Sequence, residues 1–338
     1  MWAEVQGKHL FITGGTGFFG CWLLESLLWA NDKLNLRAYA TVLTRNPESF
    51  RAKAGHLATH PAIQLHVGDV VDFAFPDGEY SLVINAATEA SAQLARDDPL
   101  LMWRTIVAGT ERTLEFAVRC GAERYLLTSS GAVYGKQPAE LTHIPEDYTG
   151  GPDPTDPRAA YAEGKRAAEQ LCVLYAARHG IEVPIARGFA FVGPYLPLDR
   201  HFAVGNFIRD GLRGGPIVVS GDGTPYRSYL YAADLAIWLW TILLRGQSCR
   251  AYNVGSEADL TIAELAHAVA AASRQAVEVV IASAPRHGAP AERYVPSTER
   301  ARKELGLREV VPLPEALART IGWCRSGVEA GAERRRQR

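Results

Sequence analysis

The chain has 338 residues, room for one large two-lobed domain or two ordinary ones, and its 47% hydrophobic content supplies ample core. Charged residues make up 22% and the formal net charge is −1, so no global field favours nucleic acid or a membrane surface. The only basic run, Arg334-Arg335-Arg336 with Arg338, reads as a solvated terminus. Cys21, Cys120, Cys172, Cys249 and Cys324 are scattered, odd in number and free of CxxC spacing. They argue for reduced thiols in a cytoplasmic protein rather than a disulfide framework or metal site. The N-terminus lacks signal-peptide character and no 18-residue apolar run follows, so no membrane span is expected.

Along the chain, short apolar runs alternate with helical patterns. Strands are expected at Lys8–Thr13, Ala38–Leu43, Ile63–Val67, Ser81–Asn85, Arg124–Ser129 and Ile181–Arg187. Helices are expected at Gly17–Ala30, Leu100–Cys120 and Ala159–His179, with Trp103, Val107, Leu114, Ala117 and Val118 on a helical period in the second. Such alternation predicts an α/β fold: a doubly wound parallel Rossmann sheet covered on both faces. After about residue 190, Gly and Pro punctuate the chain, and short elements and loops are expected beside helices at Ala232–Leu244, Ile262–Ala272 and Pro314–Ser326. The reading is a dinucleotide-binding domain over 1–188 and a smaller, interleaved C-terminal α/β substrate lobe over 189–330. Some segments of that lobe return to the sheet, and a flexible tail covers 331–338.

Gly14, Gly17 and Gly20 follow the first strand and open the first helix, in the order GxxGxxG. The first allows a tight turn, the second lets backbone approach a pyrophosphate, and the third packs helix against strand. Thr16, Phe18 and Phe19 of this loop join them as cofactor-contact candidates, with Val70, Ala86 and Ala87 beyond later strands. The second strand ends in Thr44-Arg45, with no carboxylate for a ribose 2′-hydroxyl and an arginine suited to a 2′-phosphate. NADP is therefore expected, with NAD as the alternative. Asp69 suits an adenine edge.

Tyr161 and Lys165 stand four apart and share one helix face. The ammonium can lower the phenol pKa and reach the nicotinamide ribose, so that Tyr161 exchanges a proton with a substrate oxygen. Ser130, at a strand end, can hydrogen-bond the same oxygen.

With Ser129-Ser130-Gly131-Ala132-Val133-Tyr134-Gly135, Arg187 through Pro194, Gly221-Asp222-Gly223, Arg227-Ser228-Tyr229 and Tyr252-Asn253-Val254-Gly255 in order, the chain resembles the extended short-chain dehydrogenase/reductases, in particular the NDP-sugar epimerase/dehydratase group. The resemblance implies Ser130, Tyr161 and Lys165 as catalytic residues and a nucleotide-diphosphate sugar as partner. It further implies Arg227 on the substrate diphosphate, Arg286 as a second such ligand and Arg293 as a weaker one, and a homodimer formed through the long helices. Phe202, Asn206 and Tyr229 are sugar or base candidates, while His143 and His201 have structural readings.

Departures from that pattern rank the reactions. Gly131 and Ala132 stand where 4,6-dehydratases carry Asp-Glu, and Ala132 also replaces a glutamate of UDP-glucuronate decarboxylases. The run Tyr161 through Arg166 nevertheless resembles the decarboxylases' YxEGKR. Asn85 through Glu89 resembles the A-T-E stretch of 4-keto-6-deoxyhexose reductases, which puts Glu89 near the substrate. Ile106 and Ala190 replace family asparagines. The resulting expectation is NADP-dependent reduction of an NDP-4-keto-6-deoxyhexose at C4. An NAD-dependent NDP-sugar 4-epimerase comes second, a UDP-glucuronate decarboxylase or 4,6-dehydratase lower, and a non-catalytic dinucleotide-binding regulator stands outside the enzymes.

Overall fold

The computed structural model describes residues 1–87, 92–199, 202–273, 275–284 and 290–336. Its central sheet uses β1 (His9–Thr13), β2 (Tyr39–Thr44), β3 (Ile63–Val67), β4 (Leu82–Asn85), β5 (Arg124–Ser130) and β6 (Ile185–Gly188). Four short strands then follow in the second lobe: β7 (Phe191–Val192), β8 (Ile217–Val219), β9 (Tyr226–Ser228) and β10 (Leu230–Tyr231). β11 (Ala251–Val254) returns to the central sheet, and β12 (Asp259–Thr261), β13 (Val279–Ile281) and β14 (Arg293–Tyr294) complete the lobe.

The seven-stranded sheet runs β11-β6-β5-β4-β1-β2-β3, every pair parallel. Strand order reverses between β1 and β4, which opens a crevice at their C-terminal ends, the usual ligand position in such sheets. Burial explains the composition: Leu10, Phe11, Ile12, Val83 and Ile84 are fully covered, so these strands read as continuous apolar runs rather than alternating ones.

One face is covered by α1 (Phe18–Leu34) and α2 (Pro47–Ala58), the other by α3 (Ala92–Asp97), α4 (Pro99–Arg119) and α5 (Ala160–His179). α4 begins at Asp98, whose carboxylate accepts from Leu101 N at 2.9 Å, with Pro99 in the first turn where its missing N–H costs nothing. α5 stops at Gly180 in the left-handed conformation. The smaller lobe adds α6 (Ala203–Arg213) and α8 (Ile262–Ala272), with α7 (Ala232–Arg245), α9 (Glu299–Leu305) and α10 (Leu313–Arg336) completing the chain. α8 opens with a reciprocal capping box between Thr261 and Glu264.

Four elements differ from expectation, and the first three have physical causes. α2 stands where no helix was expected; it is set by Asn46, which caps Ser49 N at 2.9 Å, by Pro47 in the first turn, and by Phe50, Ala54, Leu57 and Ala58 packing on the core. α6 stands where loops were expected, its Val204, Phe207 and Ile208 buried against α8. The strand expected from Ile181 starts at Ile185, since Glu182 makes only an isolated bridge to Arg124. α10 continues past Ser326 to Arg336, through most of the expected tail. Among the described residues no helix is long and apolar enough to cross a membrane, and no cluster of three or more His, Cys, Asp or Glu could hold a metal.

Candidate active site

The crevice begins with the loop between β1 and α1. Gly14 has φ +68°, and a Cβ there would lie 2.3 Å from Ala86 O; one on Gly20 would lie 2.3 Å from Gly15 Cα. Side chains are thus excluded where the loop packs on the turn after β4 and where α1 packs on the loop. Gly17 caps α1 without a side-chain acceptor, so the first-turn N–H groups remain for an anion at the positive end of the helix. These features fit a dinucleotide pyrophosphate. Thr16 O accepts from Lys53 Nζ of α2 at 2.8 Å, a cation beside the loop that sequence reading missed because α2 itself was missed. Phe18 and Phe19 sit half-buried at the start of α1, and Phe19 meets Phe191 edge-on at 5.0 Å.

Beneath the loop lies a buried polar network. Thr13 Oγ1 donates to Asn85 Oδ1 at 2.8 Å and receives Ala87 N at 3.1 Å; Asn85 Nδ2 donates to Tyr125 OH at 2.8 Å. It fixes the Ala86–Ala87 turn over the crevice floor, and every member is paired. At the far edge, Arg45 lies 3.7 Å from Asp69, and Thr44 accepts from Asn46 N at 3.2 Å. Val70 packs against Gly109 of α4, where a Cβ would meet it at 2.9 Å.

The catalytic candidates converge. Ser130, the last residue of β5, is buried, and its hydroxyl lies near enough to the Tyr161 phenol, in the first turn of α5, to act on its pKa. Burial raises the Tyr161 pKa, and the nearby Ser130 hydroxyl offsets part of the rise. Lys165, 3% exposed, donates to Thr128 O at 2.7 Å; burial pulls its pKa down to about 8, against the opposing pull of Glu169. The lysine therefore stands one turn from the phenol, on the same helix face, anchored to β5.

Residues that sequence reading missed complete the surround. Glu169, one turn beyond Lys165, accepts from Ser129 Oγ at 2.5 Å and from Arg187 at 2.9 and 2.6 Å. Its spacing from Tyr161 and Lys165 could have identified it. Arg187 also donates to Tyr134 OH at 2.9 Å, and that phenol donates to Asn253 Oδ1 at 2.7 Å. Tyr294, from β14, reaches within 3.5 Å of Ser130 Oγ. No local signal marked it. A cavity of about 260 Å³ beside Tyr134, Glu146, Arg166 and Arg187 contains none of Ser130, Tyr161 or Lys165, so it is not the catalytic cleft.

The substrate candidates are less tightly gathered. Arg227 on β9 donates to Glu292 Oε1 at 2.7 Å and to Tyr226 O at 2.8 Å, and lies 5.9 Å from the Tyr294 ring centroid. Arg293 is committed to Asp259 at 2.6 Å and to the Tyr226 ring at 4.0 Å, a brace between β14 and β12. Phe202 is exposed at the start of α6, and Asn206 accepts from Arg209 at 3.1 Å. Tyr229 is buried in the core of the smaller lobe. His143 Nε2 lies 2.9 Å from Glu257 O. Ile106 is buried and packs where Gly164 lets α4 and α5 approach, and Ala190 is half-buried against the smaller lobe's core. Glu89, Arg286 and His201 lie outside the described residues.

A doubly wound sheet, a glycine cradle and a Ser-Tyr-Lys cluster at the strand ends define a dinucleotide-dependent enzyme of the extended short-chain dehydrogenase type. The profile described as NAD dependent epimerase/dehydratase family matches residues 10–255. The chain belongs to that family. It is 34% identical over 314 residues to UDP-glucuronic acid decarboxylase 6 of Arabidopsis thaliana, covering 92% of this chain and 87% of the relative. It is 32% identical over 322 residues to UDP-glucuronic acid decarboxylase 1 of Danio rerio, covering 94% and 73%. Among solved structures, the Thermotoga maritima UDP-glucose 4-epimerase with UDP-glucose superposes with TM-score 0.79 at 20% identity, over 95% of this chain and 99% of that one. Streptomyces venezuelae DesIV, a dTDP-glucose 4,6-dehydratase with NAD bound, gives 0.76 at 24% identity, over 94% and 97%.

Proposed function

We propose that this enzyme oxidises C4 of a UDP-sugar, and that the sugar is UDP-glucuronate, which it decarboxylates. The observation that carries the chemistry is the gathering of buried Ser130 at the end of β5, the Tyr161 phenol beside it, and Lys165 one turn along α5, bonded to Thr128 O at 2.7 Å. The substrate assignment is supported by the two decarboxylase relatives, each matched along nine-tenths or more of this chain. Decarboxylation is thereby ranked ahead of the 4-keto-6-deoxyhexose reduction expected from Gly131, Ala132 and the stretch ending at Glu89.

When bound, the nicotinamide dinucleotide supplies reversible hydride exchange at C4. Tyr161 takes the C4 hydroxyl proton and Ser130 holds the oxygen, while Lys165 places positive charge beside the phenol. A ketone at C4 lies β to the C6 carboxylate. The C5–C6 bond then breaks with its electron pair passing toward the C4 oxygen, and carbon dioxide leaves; C5 takes up a proton from water, and the C4 ketone regains hydride and, from Tyr161, the proton, which gives a UDP-pentose. Ser130 and Tyr161, both aimed at that oxygen, stabilise the charge it gains. Bond breaking thus proceeds with Ala132 in place of an acid. In this reading Arg227 takes the diphosphate, exchanging Glu292 for it, and Arg45 selects NADP. Leu100 and Leu101 of α4, with Val173 and Leu174 of α5, are exposed apolar side chains that suit pairing of two copies.

The test is incubation with UDP-glucuronate and either dinucleotide, following carbon dioxide release and the mass of the nucleotide product. A UDP-pentose supports the reading. Interconversion of UDP-hexoses without gas release overturns it in favour of a 4-epimerase. Consumption of NADPH with an NDP-4-keto-6-deoxyhexose, and inertness toward UDP-glucuronate, restores the reductase.

A further inference from the structure

The register of the central sheet fixes where an adenosine ribose lies when a dinucleotide fills the crevice. Thr13 pairs with Leu43, so the glycine loop that follows β1 starts beside Thr44 and Arg45 at the end of β2. A Cβ on Gly15 would come within 2.6 Å of Val42 Cγ1, which places the loop directly on β2. In doubly wound sheets the pyrophosphate sits at the first helix and the ribose 2′ position at the end of the second strand. The ribose therefore has Gly14, Gly15 and Thr16 on one side and Arg45 on the other.

Lys53 brings a second cation to that place from a separate element. Its Nζ donates to Thr16 O at 2.8 Å, from 37 residues further along the chain. α2 leaves helical geometry at Ala54, φ −148° and ψ 63°, and Phe50 and Ala54 are buried in the core. The first half of α2 is thus docked with Lys53 at its end, against the loop. Arg45 and Arg51, the other cations between β2 and Ala54, each meet an acid: Asp69 at 3.7 Å, and Glu48. Lys53 rests instead on a neutral carbonyl and beside the Tyr195 ring, 5.8 Å from its centroid. Glu25 of α1, the acid bonded to that tyrosine, is occupied by the Tyr195 hydroxyl and by His56, each at 2.7 Å. An ammonium carries three N–H groups, and the bond to Thr16 O holds it at the loop without neutralising it.

We propose that Lys53 is a specificity-determining residue of the cofactor site, which binds the 2′-phosphate of NADP from the loop side while Arg45 binds it from β2. The proposal rests on the NADP reading of Arg45 and names the second half of that site. A phosphate gives the ammonium a charge-assisted hydrogen bond, stronger than one to a neutral carbonyl. NAD offers only a hydroxyl there and leaves Lys53 on Thr16 O.

The test is calorimetric titration of NADP and of NAD into the parent, Lys53→Met, Lys53→Arg, Arg45→Ala and the Lys53→Met/Arg45→Ala double variant. It needs no nucleotide sugar, so it stands apart from the UDP-glucuronate reading. Lys53→Met keeps an apolar stem and removes the charge. It should bind NADP about tenfold more weakly, the order of one hydrogen bond to a charged group, with NAD changed less than about twofold. Lys53→Arg should keep most of the NADP affinity, and the double variant should bind the two dinucleotides alike. Equal losses for NADP and NAD in Lys53→Met would make the lysine a brace for the loop and overturn the proposal, as would an unchanged NADP affinity. A selective loss in Arg45→Ala alone rejects Lys53 and keeps the NADP reading. A parent that binds NAD at least as tightly as NADP rejects both.

Discussion

Glu169 grips Arg187 through two hydrogen bonds of 2.9 and 2.6 Å, one helical turn behind Lys165, and both side chains are largely removed from water. The pair ties α5 to β6 and, through Ser129, to β5. Glu169→Gln leaves a guanidinium facing a neutral amide in a poorly solvated place. Chemical denaturation should show a loss of about 3 kcal/mol. Because Glu169 holds the Lys165 pKa up, the same variant should also lower that pKa below its value of about 8. A lysine titration unmoved by Glu169→Gln would disprove the coupling.

Lys165 itself costs stability. Its ammonium is 3% exposed, and its pKa falls from 10.5 to about 8 on folding. Between these values the unfolded chain binds more protons than the folded one, so stability rises with pH across that window. Below pH 8 the full burial penalty is present, on the order of 3 kcal/mol for a shift of this size. Lys165→Met should therefore be more stable than the parent at pH 7, by about 2 kcal/mol after loss of the bond to Thr128. The gap should narrow as pH rises from 8 to 10.5, and activity should be lost. Equal pH profiles of stability for the two proteins would refute this.

Arg227 is held by an exposed glutamate, Glu292, which a diphosphate can displace. Arg227→Ala should weaken UDP binding about 30-fold or more by calorimetry, and Arg227→Lys nearly as much, because a lone ammonium cannot make the two-pronged contact. Glu292→Gln, by removing the competitor, should tighten binding slightly. Unaltered UDP affinity in Arg227→Ala would remove the arginine from the substrate site.

Arg45 stands at the end of β2 beside Asp69, at 3.7 Å. Arg45→Ala should lower NADP affinity about tenfold while leaving NAD nearly untouched, measured by fluorescence titration of each reduced dinucleotide. Asp69→Asn should favour NADP, since it removes a negative charge near the expected 2′-phosphate. If the parent binds NAD at least as tightly as NADP, Thr44 and Arg45 do not set the preference.

Local signals carry the N-terminal half. Continuous apolar strands, the glycine loop and the Tyr161–Lys165 spacing are signals within a few residues of each other. The misses fall where the signal is weak or distant. α2 buries only a short stripe, Phe50, Ala54, Leu57 and Ala58, two of the four alanine, and Asn46 with Pro47 marks its start. α6 begins in a stretch dense with Pro and Gly, yet its apolar face finds α8 and becomes a helix. For the site, Ser130, Tyr161 and Lys165 lie on elements whose type was legible, and Glu169 was one helical turn from being named.

The order of residues along this chain, through its backbone preferences and apolar spacing, determined a parallel α/β sheet with a phosphate-binding turn and a phenol and amine on one helix face. Only the tertiary structure decided which partners those groups meet. Arg187 and Tyr134 come to Glu169 and Asn253 from separate strands and turns, and Tyr294 arrives at Ser130 across 164 residues. Such pairings depend on how strands stack and how the smaller lobe folds back, and long-range packing of that kind leaves no periodic trace in the sequence.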